Sequence, residues 1–411
     1  MKIKHLSLRI ALLIMLMLTL TIVSTQLRAD TGSCGGQVVT LPFTDVMGNF
    51  FFCQIAAAYF SGLTNGTTAT TYTPGASVPR EQMAAFVTRT LDQSLKRGHT
   101  RAALGQWSTN RSTTFRYNTF TGYHPQFLAC DGLTVWVSNT EANNVSRVDI
   151  KTGTVICTIS GIPSPEQIVT VTGSVFVASA QSPGKIYFGH IDVTTNATFE
   201  GFGNTGSSPI GMTYDGQNLW TANLGGGSGG LGSISRVSLD PIQSSTFTTG
   251  FSLPIGILFD GANLWVTDIG DISLKRVDTS TGAVLQTIAL SGTPNHPVFD
   301  GTNLWIPSGD RVFVVRGAGG LTGTVPIGTV LAQLTGNGLN GASWAAFDGE
   351  RICVTSSGAQ SVSLWKATDL SPITSVNPFG AYESRGVCSD GLNFFVGMRD
   401  TMSGGGLIVR F

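Results

Sequence analysis

The sequence is poor in charged residues and has no cluster of basic ones. Asp, Glu, Lys and Arg make up 12% of the 411 residues, and basic and acidic residues are equal in number at 24 each. A nucleic-acid partner requires a concentrated positive surface, so this composition argues against one. The six cysteines show no CxxC spacing, which makes a zinc site unexpected. We expect neither a bound metal nor a cofactor.

Long apolar runs are also absent, except for one near the start of the chain. Lys2, Lys4 and Arg9 precede an apolar stretch over 10–23, and polar and small residues follow it. This order is typical of a cleavable signal peptide, here over 1–29. The alternative is an uncleaved membrane anchor, but about 14 residues are few for a span that needs roughly 20. We therefore expect a secreted protein of the cell envelope or cell surface, with no transmembrane span after cleavage.

Export would permit disulfide bonds. Cys34 and Cys53 are close together in the sequence and could form one. The other four cysteines lie in strand-like patterns, in which a cysteine usually packs as a small hydrophobic residue. These four are Cys130, Cys157, Cys353 and Cys388.

Glycine, in contrast, is abundant, and six of the 52 glycines belong to a repeated Asp-Gly turn. The clearest copies are YDGQNLWTAN at 214–223, FDGANLWVTD at 259–268 and FDGTNLWIPS at 299–308. Three weaker copies keep the Asp-Gly pair, and a seventh at 171–180 has lost the Asp, so the turns recur every 40 to 48 residues. A period of this length with four short strands per repeat is typical of a propeller blade. The predicted fold class is mainly β, with a seven-bladed β-propeller over 113–411.

A large side chain recurs five positions after the Asp of this turn. Because an aromatic ring buries on the order of 150–250 Å², we expect these residues to pack between neighbouring blades. Stacking on a ligand is the alternative. The position is occupied by Trp136, Trp220, Trp265 and Trp305, and in other repeats by Phe176, Cys353 and Phe395.

The two ends of the repeat region indicate how the ring closes. The last repeat has three strands, the third over 406–411, and lacks an outer strand. The strand-like segment 112–120 precedes the first repeat and has no other partner. Pairing these two segments would close the ring and leave no sheet edge exposed.

Residues 41–98 differ from the repeats in composition and residue pattern. The stretch 54–62 is rich in alanine and compatible with a helix, and 80–95 carries apolar residues at the spacing of an amphipathic helix. Residues 99–112 show no period, and we expect them to form a linker. The sequence therefore predicts a small helical module ahead of the propeller.

This module resembles one S-layer homology (SLH) repeat. The matching motifs are FTDV at 43–46, GLTNG at 62–66, YTP at 72–74 and PREQMA at 79–84. The resemblance implies a helical bundle that binds cell-wall polysaccharide, with Arg80 and Gln82 as candidate glycan contacts. The alternative is that Arg80 is a solvated residue in the first turn of a helix.

In a propeller, the loops that lead into the innermost strands rim one end of the channel. Those loops bring polar and aromatic residues from separate blades together, and we take them as the candidate ligand-binding residues. They are His124, Glu166, His296, Trp344, Glu383 and Arg385.

The repeats resemble YVTN/NHL-type propellers, including the streptogramin B lyase group. In that group a set of His and Glu residues holds a magnesium ion. Here only His124 and His296 stand at comparable positions, each followed by Pro, and no Glu-x-His pair occurs. We therefore expect no catalytic residues, and a propeller that serves as an extracellular binding scaffold. An extracellular lyase-like or lactonase-like enzyme and a purely structural surface-layer component are the alternatives.

Overall fold

The computed structural model divides into two compact units, 1–104 and 105–411. The predictions for the signal peptide, for Arg80 and Gln82, and for the linker lie outside the described residues. The structure describes residues 29–34, 37–60, 64, 66–78, 83, 116–117, 124–171, 173–190, 199–317, 325–377 and 382–411.

The smaller unit contains a hairpin of strands β1 (Asp30–Cys34) and β2 (Gln37–Leu41), followed by helix α1 (Phe52–Phe60). The predicted disulfide between Cys34 and Cys53 is present and joins β1 to α1. A small apolar core holds the unit together, since buried side chains of β2, α1 and the loop between them contact one another. Its buried members are Leu41, Phe43, Val46, Phe52, Ile55 and Ala56.

Two of the motifs that resemble an SLH repeat contact each other in this unit. The Asp45 carboxylate accepts the backbone N–H groups of Tyr72 and Thr73, at 2.8 and 2.7 Å. The ring of Phe43 packs on that of Tyr72, with centroids 5.4 Å apart. The helical bundle, however, is not shown. In the described part of the unit, α1 is accompanied only by the β-hairpin and by a single helical residue, Met83, which is half exposed.

The larger unit is a ring of seven four-stranded antiparallel sheets, which confirms the predicted seven-bladed β-propeller. Blade 1 contains β4 (Pro125–Cys130), β5 (Thr134–Asn139), β6 (Asn144–Asp149) and β7 (Val155–Ser160). Blade 2 contains β8 (Pro165–Val171), β9 (Ser174–Ser179), β10 (Gly184–His190) and β11 (Glu200–Thr205). Blade 3 contains β12 (Pro209–Tyr214), β13 (Asn218–Asn223), β14 (Ser233–Ser238) and β15 (Ser244–Phe247).

The remaining blades follow the same order, from the innermost strand outward. Blade 4 contains β16 (Pro254–Phe259), β17 (Leu264–Asp268), β18 (Ser273–Val277) and β19 (Val284–Ala289). Blade 5 contains β20 (Val298–Phe299), β21 (Asn303–Ser308), β22 (Arg311–Arg316) and β23 (Val330–Thr335). Blade 6 contains β24 (Ala342–Phe347), β25 (Arg351–Ser356), β26 (Ser361–Lys366) and β27 (Pro372–Val376). Blade 7 contains β28 (Tyr382–Ser389), β29 (Phe394–Asp400), β30 (Gly406–Arg410) and β3 (Arg116–Tyr117).

Ring closure occurs in blade 7, as the ends of the repeat region predicted. Arg116 pairs with Val409 and Tyr117 with Ile408, so the first strand of the propeller unit is the outer strand of the last blade. A disulfide between Cys130 and Cys388 joins the innermost strands of blades 1 and 7 across 258 residues of sequence. The expectation that these two cysteines pack as free core residues is therefore wrong.

The repeated turn between the first and second strands depends on the Asp side chain. In blade 4, the Asp260 carboxylate accepts the backbone N–H groups of Ala262 and Asn263, at 3.0 and 2.8 Å. Gly261 has a φ of 96°, and among the described residues the Asp is not in the left-handed region. The turn is thus built on side-chain capping and one left-handed glycine, and not on the two left-handed residues of a type I′ turn.

The Asp of this turn also accepts a hydrogen bond from the tryptophan five positions later, in the four repeats that have one. The indole Nε1–H donates to the carboxylate over 3.0 Å in Trp136, 2.6 Å in Trp220, 2.6 Å in Trp265 and 2.8 Å in Trp305. All four rings are fully buried. Each one belongs to a core cluster that it shares with the following blade, which confirms the expected packing between blades.

Among the residues that the structure describes, no helix combines the length and the apolar character that a membrane span needs.

Candidate functional site

Several site candidates stand in β-bulges near the start of the innermost strands. In six blades the pairing of the first strand with the second shifts register there. A bulge leaves its extra residue unpaired and re-aims the side chain. In blade 5, His296 and Pro297 directly precede the short β20. The bulged residues are Gln126, Glu166, Gln167, Ile210, Ile255, Ser343, Arg385 and Gly386.

A small cavity lies between the innermost strands, in the channel of the propeller. Its volume is about 60 Å³, which is more than the roughly 10–15 Å³ that a single water needs on this measure. Six of the seven blades contribute to the lining. One lining residue from each is Phe127, Gln167, Ile257, His296, Trp344 and Gly386.

Three rings from blades 1, 5 and 6 form an aromatic wall on this cavity. His296 stacks on Trp344 with ring centroids 5.6 Å apart and planes 6° apart. Phe127 meets both rings edge-on, at 4.9 Å from His296 and 5.9 Å from Trp344. Burial lowers the pKa of His296 to about 3, so its imidazole is neutral at physiological pH. The predicted candidates His296 and Trp344 thus act as packed rings.

A charged group lies next to the aromatic wall in blade 7. Oε2 of Glu383 accepts a hydrogen bond from Arg385 Nη2 at 2.5 Å, and lies 3.6 Å from Arg399 Nη1. The guanidinium of Arg385 lies over the ring of Trp344, 5.9 Å from its centroid, in the geometry of a cation–π contact. Two guanidinium groups therefore share one carboxylate, directly beside the cavity.

His124 adjoins this group from the loop that leads into blade 1. Its Nδ1 lies 3.3 Å from Glu141 Oε1. Burial, with the charge of Arg399 next in effect, holds the pKa of His124 below its usual value. Arg399 acts on this pKa more strongly than Glu141, and Arg385 more strongly than Glu383. The two arginines therefore lower this pKa, and the two glutamates raise it.

Glu166 belongs to blade 2 and is the most deeply buried carboxyl among the candidates, at 7% exposure. Burial raises its pKa to about 8, so the group is mostly protonated at neutral pH. It stands next to Gln167, which lines the cavity. Glu166 itself is not among the residues that line the cavity.

The channel mouth is defined here as His124, Phe127, Glu141, His296, Trp344, Glu383, Arg385 and Arg399. It holds several buried polar atoms that have no hydrogen-bond partner among the described residues. Leaving such an atom unpaired costs about 1–3 kcal/mol, so each one needs an explanation. They are His124 Nε2, His296 Nδ1, Trp344 Nε1, Arg385 Nε and Arg399 Nε.

The sequence reasoning found five members of the channel mouth and missed three. Arg399 lies on a second strand, but it faces Glu383 across the β28–β29 hairpin. Counting outward from the Asp-Gly turn would have exposed this pair of opposite charges. Phe127 and Glu141 had no comparable signal. Among the described residues, no three His, Cys, Asp or Glu side chains lie close enough together to hold a metal ion.

Together, the seven sheets and the channel define the class of this protein as a seven-bladed β-propeller. The chain is similar to the solved structure of streptogramin B lyase, with a TM-score of 0.54, 15% identity, and coverage of 72% of this chain and 96% of that one. It is also similar to hydrazine synthase of Kuenenia stuttgartiensis, with a TM-score of 0.57, 16% identity, and coverage of 73% and 98%. A third similar structure is the WD40 propeller domain of Doa1, with a TM-score of 0.56, 12% identity, and coverage of 72% and 96%.

At these identities the similarity shows the fold alone. No protein-family model matches the chain, and no curated protein matches it. The comparisons therefore give no evidence for an SLH domain.

Proposed function

We propose that this chain is a secreted cell-envelope protein whose propeller is a non-enzymatic scaffold that binds an extracellular ligand at the channel mouth. The observation that carries this proposal is the set of buried nitrogen atoms at the channel mouth without partners among the described residues, two of which belong to the cavity-lining His296 and Trp344. Buried polar groups are almost always hydrogen-bonded in native proteins. A bound ligand would supply the missing partners. A stiff ring of blades suits such a role, because it holds residues from different loops in fixed positions.

Two disulfides support export. Cys34–Cys53 and Cys130–Cys388 lie in separate units of the chain. Structural disulfides persist in oxidising compartments and are rare in reducing ones. This agrees with the signal-peptide pattern over 1–29.

The contacts of Asp45 and Phe43 support a role of the small unit in envelope association. These two residues join the first and third motifs of the SLH resemblance. We propose that the module binds cell-wall polysaccharide or another envelope component, with Arg80 and Gln82 as contacts.

The state of His296 favours binding over catalysis. A general base works best with a pKa near the working pH, whereas this imidazole is held neutral down to about pH 3 by burial. Its ring stacks on Trp344. These are properties of a binding wall.

Cell fractionation tests the envelope role. Cells would express the full chain, a form without residues 30–98 that keeps the signal peptide, and the point variant Arg80→Gln. We expect the full chain in the envelope fraction and the truncated form in the medium, with Arg80→Gln partly released. Arg89→Gln, which removes the same charge elsewhere in the module, is the matched control and should stay in the envelope. Equal release of all forms would contradict envelope association.

A further inference from the structure

We propose that the ligand of the channel mouth is a small organic carboxylate with a planar apolar body. This inference rests on the proposed binding role and names the ligand class. The polar atoms, the charge balance and the dimensions of the site each point to it.

The charge balance favours an anion. Glu383 is the one carboxylate that both Arg385 and Arg399 approach, and these side chains are 18% and 28% exposed. Glu141 brings a second negative charge, but it is 54% exposed and lies beside His124. Charges that are more buried act through a lower effective dielectric.

The atoms that lack partners favour an acceptor. Trp344 Nε1, Arg385 Nε and Arg399 Nε can only donate hydrogen bonds. Trp344 is more than nine-tenths buried and lines the cavity. A carboxylate carries two oxygens that only accept, and its bonds to a guanidinium are among the stronger hydrogen bonds in proteins.

The dimensions favour a carboxylate that is attached to a flat apolar group. The cavity of about 60 Å³ has room for a small flat group, and it is open to the channel on one side. The wall of Phe127, His296 and Trp344 is aromatic, and such rings favour stacked or edge-on partners. Inorganic phosphate could pair with the arginines but could not stack on this wall.

The test uses the oxidised full chain and three probes: benzoate, its neutral analogue benzamide, and inorganic phosphate. Indole N–H signals would be followed by NMR, with the Trp344 signal identified by its loss in Trp344→Phe. We expect a saturable shift of that signal with benzoate. Benzamide and phosphate should bind at least ten-fold more weakly.

Variants with matched controls locate the site. Arg385→Gln should weaken benzoate binding at least ten-fold. Arg276→Gln is its control, because Arg276 also has a buried Nε without a partner among the described residues but lies on β18, the third strand of blade 4, and is not part of the channel mouth. Trp365→Phe is the control for Trp344→Phe, since the Trp365 indole is likewise buried and unpaired but lies in the core between blades 5 and 6. Both controls should bind benzoate as the unmodified chain does.

Three results would overturn the inference. Equal binding of benzamide would show that the site does not select for a negative charge. The binding role of the channel mouth would then still stand. Equal binding of phosphate would show that the apolar body of the ligand does not contribute to binding. The absence of a saturable shift with benzoate would exclude this ligand class, whereas envelope association is decided separately by fractionation.

Discussion

Cys130 and Cys388 form a disulfide between the first and the last innermost strand of the propeller. The same two blades are held by backbone pairing on the outer side, where Arg116 faces Val409. Ring closure is thus secured at the channel and at the rim. The closure also places Arg385 of blade 7 beside His124 of blade 1, so the channel mouth depends on it.

Removing the closure disulfide should destabilise the propeller without changing its fold. A bond that closes a long loop typically contributes about 2–5 kcal/mol. We expect the double variant Cys130→Ala/Cys388→Ala to lose that amount of unfolding free energy, measured by tryptophan fluorescence in urea. The double variant Cys34→Ala/Cys53→Ala is the control and should leave the propeller transition in place. Unchanged unfolding of the first variant would contradict a role in closure.

The bond between the repeated Asp and Trp should contribute to the stability of each blade. Trp265→Phe keeps an aromatic ring in the core but removes one donor from the buried Asp260. We expect a loss of about 1–3 kcal/mol in the free energy of unfolding, because the carboxylate keeps its desolvation cost. Trp365→Phe loses no such bond, so its effect should be smaller. Equal losses in both variants would mean that ring packing alone matters.

Glu166 should make the stability of the propeller fall as the pH rises. Its pKa is about 8 in the folded chain, against an ordinary value of 4.5. Between these two values the folded state binds more protons than the unfolded one, so raising the pH disfavours folding. Glu166→Gln should therefore raise the free energy of unfolding at pH 9 by on the order of 2–4 kcal/mol, and by much less at pH 5.

Thermal unfolding of both forms across this pH range would measure the effect. Glu200→Gln, which alters an exposed carboxylate of the outer strand β11, should show no such difference. A parallel pH dependence of Glu166→Gln and the unmodified chain would contradict the raised pKa.

Most of the propeller was predictable because its signal is local and repeated. The Asp-Gly turn and the Trp five positions later lie within one hairpin, so their spacing is visible in the sequence. The disulfide between Cys130 and Cys388 was not predictable in this way. Its partners are 258 residues apart, and each stands in a pattern that also suits a buried cysteine outside any disulfide, such as Cys353.

The candidate site was predictable only in part, for a related reason. The loops into the innermost strands pointed to His296 and Trp344, but the stacking of these rings joins two different blades. That contact depends on how the blades are rotated about the channel. Arg399 was missed because its strand is not an innermost one.

The proposed function requires that the propeller ring is closed and that the chain is exported to an oxidising compartment. One measurement tests both requirements. The chain would be recovered from expressing cells with its thiols blocked, digested without reduction, and analysed by mass spectrometry for linked peptides. We expect the peptide with Cys130 to be joined to the peptide with Cys388. Cys157 and Cys353 should carry the blocking group. Free thiols at Cys130 and Cys388, or a bond from either to Cys157 or Cys353, would contradict the account.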